Sequence, residues 1–165
     1  ADELRRSMTK LGLRGAQIGS HVNGKSLDDP SLDPVWEVAN ELRAFFLIHP
    51  HGEVVPGTRL SSYYMRNFVG LPFETTIAGA SLVFGGVLER YPNIAFCLSH
   101  GGGFLPSYAN RSDAVIRTFP NRVGPLPKKK PTQYLKDGQL FFDTIVFTPE
   151  ALRRDFPGVD CRAFS

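Results

Sequence analysis

The sequence predicts an α/β fold, a partial (β/α)8 TIM barrel of about four βα units, half of what a closed barrel needs. Three observations lead there. Short apolar runs, too brief for helices, alternate with stretches of helical periodicity, as in right-handed βα units on a parallel sheet. The clearest run, Ile94-Ala95-Phe96-Cys97-Leu98-Ser99-His100, lies between Pro92-Asn93 and Gly101-Gly102-Gly103 and reads as a fully buried strand. The pattern then recurs: Ala44-Phe45-Phe46-Leu47-Ile48-His49 and, more weakly, Gly15-Ala16-Gln17-Ile18-Gly19-Ser20-His21 also end in histidine. Parallel sheets carry their chemistry just past the carboxyl ends of the strands, so His21, His49 and His100 are expected to converge on one face. One such histidine is commonly a hydrogen-bonded wall residue, whereas three at equivalent exits point to a metal or acid-base site.

Taken in order, Leu4, Met8 and Leu11 give a first short helix one apolar stripe, closed by Gly12. The first strand runs to His21, and residues 23–29 are loop. Asp33-Pro34 supplies a cap and a first-turn proline for the next helix, whose buried stripe is Val35, Ala39 and Leu42 and which stops at Arg43. The second strand ends at His49. Residues 52–67, long and polar, read as a lid, with Tyr63, Tyr64 and Phe68 as a substrate cover or a dimer contact. Ile77, Ala80, Phe84 and Val87 or Leu88 carry one helix over 71–90, whose glycines at 79, 85 and 86 are costly unless close packing needs them. Beyond the His100 strand, Leu105, Tyr108, Ala109 and Ile116 mark a helix bearing Arg111 and Arg117. A Pro/Lys-rich loop over 120–131 leads to a fourth strand over 140–147, and Pro149 opens a last helix. The expected domain is 1–153, followed by an irregular tail over 154–165.

A chain of 165 residues makes one domain with a proper core. Of its residues 42% are hydrophobic, yet no apolar run approaches the ~18 residues of a membrane helix. Much of the +3 net charge sits in Lys128-Lys129-Lys130, flanked by prolines and without interleaved aromatics, so neither nucleic acid nor membrane is expected as a partner. Cys97 and Cys161 make no disulfide framework, and with no signal peptide visible a reduced, cytoplasmic setting is the default. No Gly-x-Gly-x-x-Gly or Walker loop argues for a nucleotide. Because Ala1-Asp2-Glu3-Leu4 is already helical in pattern and lacks an initiating methionine, the chain is expected to start inside a larger protein.

Phe46-Leu47-Ile48-His49-Pro50, Gly70-Leu71-Pro72-Phe73-Glu74-Thr75-Thr76, Leu98-Ser99-His100-Gly101-Gly102-Gly103 and Phe142-Asp143-Thr144, in that order, resemble the amidohydrolase-related family in its aminocarboxymuconate-semialdehyde decarboxylase-like branch. Gly19-Ser20-His21-Val22-Asn23 is similar to that family's fourth-strand end. The resemblance implies a metal-dependent barrel with one divalent ion, usually zinc and in some members manganese, at its top. It implies that His49 is a metal ligand, and that His100 is the acid or base handling the reaction's proton. It also implies that Arg111 binds a substrate carboxylate, in some members across a subunit boundary, which leaves a homodimer open. These roles make chemical sense: zinc lowers the pKa of bound water to about 7, where a histidine can exchange its proton, and a guanidinium grips a carboxylate bidentately.

The family's first-strand His-x-His or Glu-x-His pair and its Ser/Thr-Asp-Tyr-Pro aspartate have no counterparts here, so the chain alone is expected to hold metal poorly and to be an incomplete copy: a fragment, a truncated product or a frame-shifted end after Arg153. The preferred activity is non-oxidative decarboxylation of a small carboxylated aromatic or muconate-like substrate. Hydrolysis of a lactone or amide is the close competitor, and a catalytically silent half-barrel acting by association is the reading from another class. His21 is expected as a hydrogen-bonded wall residue and His51 as a pocket wall or loop cap. Asp143 is expected to be paired or to face the pocket, and Glu74 to support its helix start. Cys97 is expected to face away from His100, which leaves a thiol mechanism weak.

Overall fold

The computed structural model describes residues 1–51, 58–125 and 127–155. Its strands are β1 (Gly15–Ile18), a small antiparallel pair β2 (His21–Val22) and β3 (Lys25–Ser26), then β4 (Phe45–Ile48), β5 (Ala95–Leu98) and β6 (Leu140–Phe142). In the main sheet β1, β4, β5 and β6 lie side by side in that order, all parallel. The register is even: Ile18, Ile48, Leu98 and Phe142 stand level across the sheet. Whatever follows those four residues therefore emerges on one rim.

Helices cover one face. Those with residues in the core there are α1 (Asp2–Lys10), α2 (Asp33–Leu42), α3 (Leu71–Phe84), α4 (Val87–Arg90), α5 (Leu105–Thr118) and α6 (Pro131–Tyr134), and α7 (Pro149–Asp155) follows β6. Beneath them Phe46, Ile48, Phe96, Leu98 and Leu140 are buried with Ala78, Leu82, Val83 and Val87. Trp36 meets Phe46 and Phe96 edge-on, with ring centroids 5.4 and 5.7 Å apart, and its indole N–H donates to the Leu27 carbonyl at 3.0 Å. Among the described residues no helix is long and apolar enough to cross a membrane.

The α/β architecture follows the expectation, with several corrections of detail. The strands are not buried on both faces: Phe45 and Phe141, on the face away from the helices, are 43% and 45% exposed. An apolar run alone therefore does not tell a strand buried on both faces from one buried on a single face. The fourth strand stops at Phe142 instead of 147, because the Asp143 carboxylate accepts the Ile145 N–H at 3.1 Å and turns the chain. The helix over 71–90 is two helices, broken where Gly86 takes a left-handed φ of 71°. Gly79, by contrast, lies where a Cβ would stand 2.6 Å from Leu98, which is the close packing its presence implied.

At the start of the chain, Leu11 lies beyond α1 and is exposed, while Leu4 and Met8 do pack on the core. The cap expected at Asp33 sits one turn earlier, where the Asp29 carboxylate accepts the Ser31 N–H at 2.9 Å ahead of a 3-10 turn over Pro30–Leu32. Trp36, rather than Leu42, fills the core with Ala39. Tyr108 is exposed on α5 rather than part of its buried stripe. Of the expected lid, 52–57 lies outside the described residues; the remainder is a 3-10 turn over Thr58–Leu60 and a π-helical turn over Arg66–Gly70, with Tyr63 and Tyr64 exposed and left-handed between them. The tail beyond Asp155 also lies outside the described residues.

Candidate functional site

The sheet ladder extends one step past its strands on the shared rim. The His49 N–H donates to the Ile18 carbonyl at 2.9 Å, Ser99 to Ile48 at 3.1 Å, and Asp143 to Leu98 at 3.1 Å. Each strand's neighbour thus fixes where the next residue leaves the sheet. The outcome is that the imidazoles of His49 and His100 face each other, centroids 5.1 Å apart and tilted by 51°.

Each ring is held by a different device. His49 Nδ1 lies 2.9 Å from the Pro50 carbonyl; since a carbonyl can only accept, Nδ1 carries the proton and Nε2 presents its lone pair. His100 sits at a left-handed φ of 56°, an uncommon conformation for a side-chain-bearing residue, at the start of a 3-10 turn over His100–Gly102. The Asp143 carboxylate bridges that turn to β6, accepting the N–H groups of His100 at 3.0 Å and Gly101 at 2.7 Å. Gly103, at φ 62°, closes the bend against α3, where a Cβ would stand only 2.1 Å from the Pro72 carbonyl oxygen.

The first turn of α3 supplies the polar wall. Thr75, fully buried, places Oγ1 3.0 Å from His100 Nδ1, and Ser99 Oγ lies 3.0 Å from the same nitrogen. Glu74, also buried, accepts the Ser20 hydroxyl proton at 3.1 Å, which ties α3 to the end of β1. Partial burial, then the adjacent His49, pushes the His100 pKa below the ordinary histidine value, with Asp143 pulling the other way. His100 is therefore neutral at pH 7 and equipped to accept a proton. Burial raises the Cys97 thiol, so it is not a ready nucleophile.

Of the expected residues, His49 and His100 come together on the rim. His21 does not stand at a strand exit: β1 ends three residues earlier, and the His21 ring sits in the β2–β3 hairpin, where Nδ1 accepts the Gly24 N–H at 3.2 Å. His51 is exposed, its ring lying over Gly19. Arg111 is exposed on α5 and makes no hydrogen bond or ion pair among the described residues. Thr75 and Ser99 were not singled out by sequence reasoning. The signal was present: a Thr-Thr pair at a helix start and a serine beside the histidine, both short hydroxyl side chains near a candidate base.

Comparison with known proteins bears on this arrangement. A family model described as amidohydrolase matches residues 1–154. The 2-amino-3-carboxymuconate-6-semialdehyde decarboxylase of Dictyostelium discoideum is 42% identical over 151 residues, covering 92% of this chain and 41% of that protein. Among solved structures, the 5-carboxyvanillate decarboxylase LigW of Sphingomonas paucimobilis superposes with a TM-score of 0.80 at 28% identity, over 93% of this chain and 47% of the other. LigW2 of Novosphingobium aromaticivorans, described with bound manganese, shares the fold with a TM-score of 0.81 at 24% identity, over 93% of this chain and 46% of its own. The chain thus spans about two fifths of the length of the curated relative it matches at 42% identity.

A divalent ion of that kind wants three or more protein donors or a carboxylate-rich cage. Among the described residues no three His, Cys, Asp or Glu side chains are grouped to hold one. His49 Nε2 is a suitable donor and the Nδ1 contacts of His100 leave its Nε2 open as well, but two imidazoles fall short of three donors and both oxygens of Asp143 are taken by backbone N–H groups. The described residues by themselves do not fit a metal site.

Proposed function

The chain belongs to the amidohydrolase family, and from that footing we propose that it forms part of a decarboxylase, a carbon-carbon lyase acting on a small carboxylated aromatic or muconate-like substrate. The observation that carries the reading is the facing pair of imidazoles, His49 and His100, on the carboxyl rim of a parallel sheet. Decarboxylation leaves the bonding electron pair on carbon as carbon dioxide departs, and a proton must take the vacated position. His100 is the group proposed to take up and deliver that proton at Nε2. Its lowered pKa keeps it unprotonated until it has accepted one, and general acid-base catalysis of this kind is worth about 10²–10⁴-fold.

Arg111 is proposed to hold the substrate carboxylate through its guanidinium, and its exposed position on α5 suits a homodimer in which it reaches a neighbouring site. His49, with its lone pair fixed at Nε2, is proposed as one donor to a divalent metal, zinc or manganese, whose other donors the described residues do not include. The metal would supply charge stabilisation. The test is carbon dioxide release across a panel of carboxylated phenols and muconates, run beside lactones and amides. Release from at least one carboxylated ring supports the proposal; turnover confined to lactones or amides replaces it with hydrolysis.

A further inference from the structure

We infer that Thr75 is a positioning residue that fixes the tautomer of His100, placing the proton on Nδ1 and the lone pair on Nε2, toward the reacting side. Four contacts form one network, two of them on the His100 ring nitrogen: Thr75 Oγ1 to the Leu71 carbonyl at 3.1 Å, Thr75 Oγ1 to His100 Nδ1 at 3.0 Å, Ser99 Oγ to His100 Nδ1 at 3.0 Å, and Ser99 Oγ to Thr75 Oγ1 at 3.4 Å. Each hydroxyl has one proton, and the Leu71 carbonyl can only accept.

With Nδ1 protonated, every contact is a hydrogen bond. Thr75 donates to Leu71, the ring N–H is shared between Thr75 and Ser99, and Ser99 donates to Thr75. With Nδ1 bare the set does not close. Were Thr75 to keep its bond to Leu71, its oxygen would meet the ring nitrogen at 3.0 Å, lone pair against lone pair. Were it to turn its proton to the ring, Ser99 would compete for the same single lone pair from 3.0 Å. Thr75 is fully buried, so no water relieves either conflict. The sequence around it explains the placement: Pro72 opens α3, and the first turn after it aims residue 75 at the end of β5.

The functional meaning rests on the reading of His100 as the proton-handling group, whereas the tautomer itself does not, and the experiment separates the two. The chain labelled with nitrogen-15 histidine is examined by long-range nitrogen-proton correlation at a pH where the imidazoles are neutral, with His100→Gln used to assign the signals. The expected result is a single His100 form with a protonated Nδ1 and a bare Nε2. Thr75→Val, nearly isosteric, should populate the other tautomer, since Ser99 is then free to donate to Nδ1, while Thr75→Ser should restore the parent pattern. In turnover, Thr75→Val should lower kcat by about tenfold with KM little changed, and Thr75→Ser should recover it. A parent ring protonated at Nε2, or a tautomer that ignores Thr75→Val, overturns the inference even if Thr75→Val proves too unstable for kinetics. A tautomer that moves without any change in kcat would leave the Thr75 assignment standing and count against His100 as the proton carrier.

Discussion

The carboxylate of Asp143 receives the backbone N–H groups of His100 and Gly101, at 3.0 and 2.7 Å, and so clamps the end of β5 to the end of β6. A hydrogen bond to a charged acceptor contributes about 1.5–3 kcal/mol, and this pair also offsets the left-handed backbone of His100. Asp143→Ala is expected to lose about 2–4 kcal/mol of stability in urea denaturation. Asp143→Asn, which keeps the shape but cannot accept both N–H groups equally, should fall in between. Equal stability of all three proteins would mean that the bend holds itself.

Kinetics separate the imidazole of His100 from the guanidinium of Arg111. On the proposed role of His100 as the proton carrier, His100→Gln is expected to lower kcat about 10²–10⁴-fold with substrate affinity largely kept. On its proposed role Arg111→Ala should instead act mainly on KM, because a carboxylate grip contributes to binding before and during the reaction. Steady-state rates of carbon dioxide release check both.

Metal affinity follows from the donors. His49 Nε2 is one fixed imidazole, and no group of three donors stands among the described residues. Calorimetric titration of the chain alone with zinc or manganese is expected to show no stoichiometric binding at micromolar concentrations. Tight binding that His49→Gln abolishes would overturn that expectation.

The pH dependence has a definite sign. The folded His100 pKa lies below its unfolded value of about 6.5, so between the two the unfolded chain binds more protons. Its contribution to stability is complete above about pH 6.5 and is lost as pH falls from there through the lowered folded value. Urea midpoints from pH 8 to 5 should fall less steeply in His100→Gln than in the parent. The acid limb of kcat/KM should likewise lie below the ordinary histidine range.

Much of this was legible in the sequence, for identifiable reasons. Apolar runs ending in His49 and His100 marked parallel strands and their rim, because burial and exit position are both written locally. The same logic misplaced His21, since it opens the short β2–β3 pair and a dipeptide strand leaves no periodic trace. The fourth strand was overrun because Ile145, Val146 and Phe147 look like strand, while the Asx turn at Asp143 that ends it depends on one side chain bending back. Thr75 and Ser99 stayed hidden because a hydroxyl earns its role only from what it touches, here a ring 25 positions further along for Thr75.

Gly103 offers the most local test of the bend. Its φ of 62° alone costs a side-chain-bearing residue about 1–2 kcal/mol, and a Cβ there would stand 2.1 Å from the Pro72 carbonyl oxygen, backbone that cannot swing aside. Gly124 has a comparable φ of 82° but nothing within 4 Å of where its Cβ would be. Gly124→Ala is therefore expected to cost about 1 kcal/mol and Gly103→Ala about 3 kcal/mol or more, the difference being the overpacking of α3 against the turn. Because α3 also carries Thr75, Gly103→Ala should shift the His100 ring signals as well as the urea midpoint, whereas Gly124→Ala should move only the midpoint. Equal costs at the two glycines would show that the turn and the helix can part without strain, and would remove the packing basis for a fixed His100.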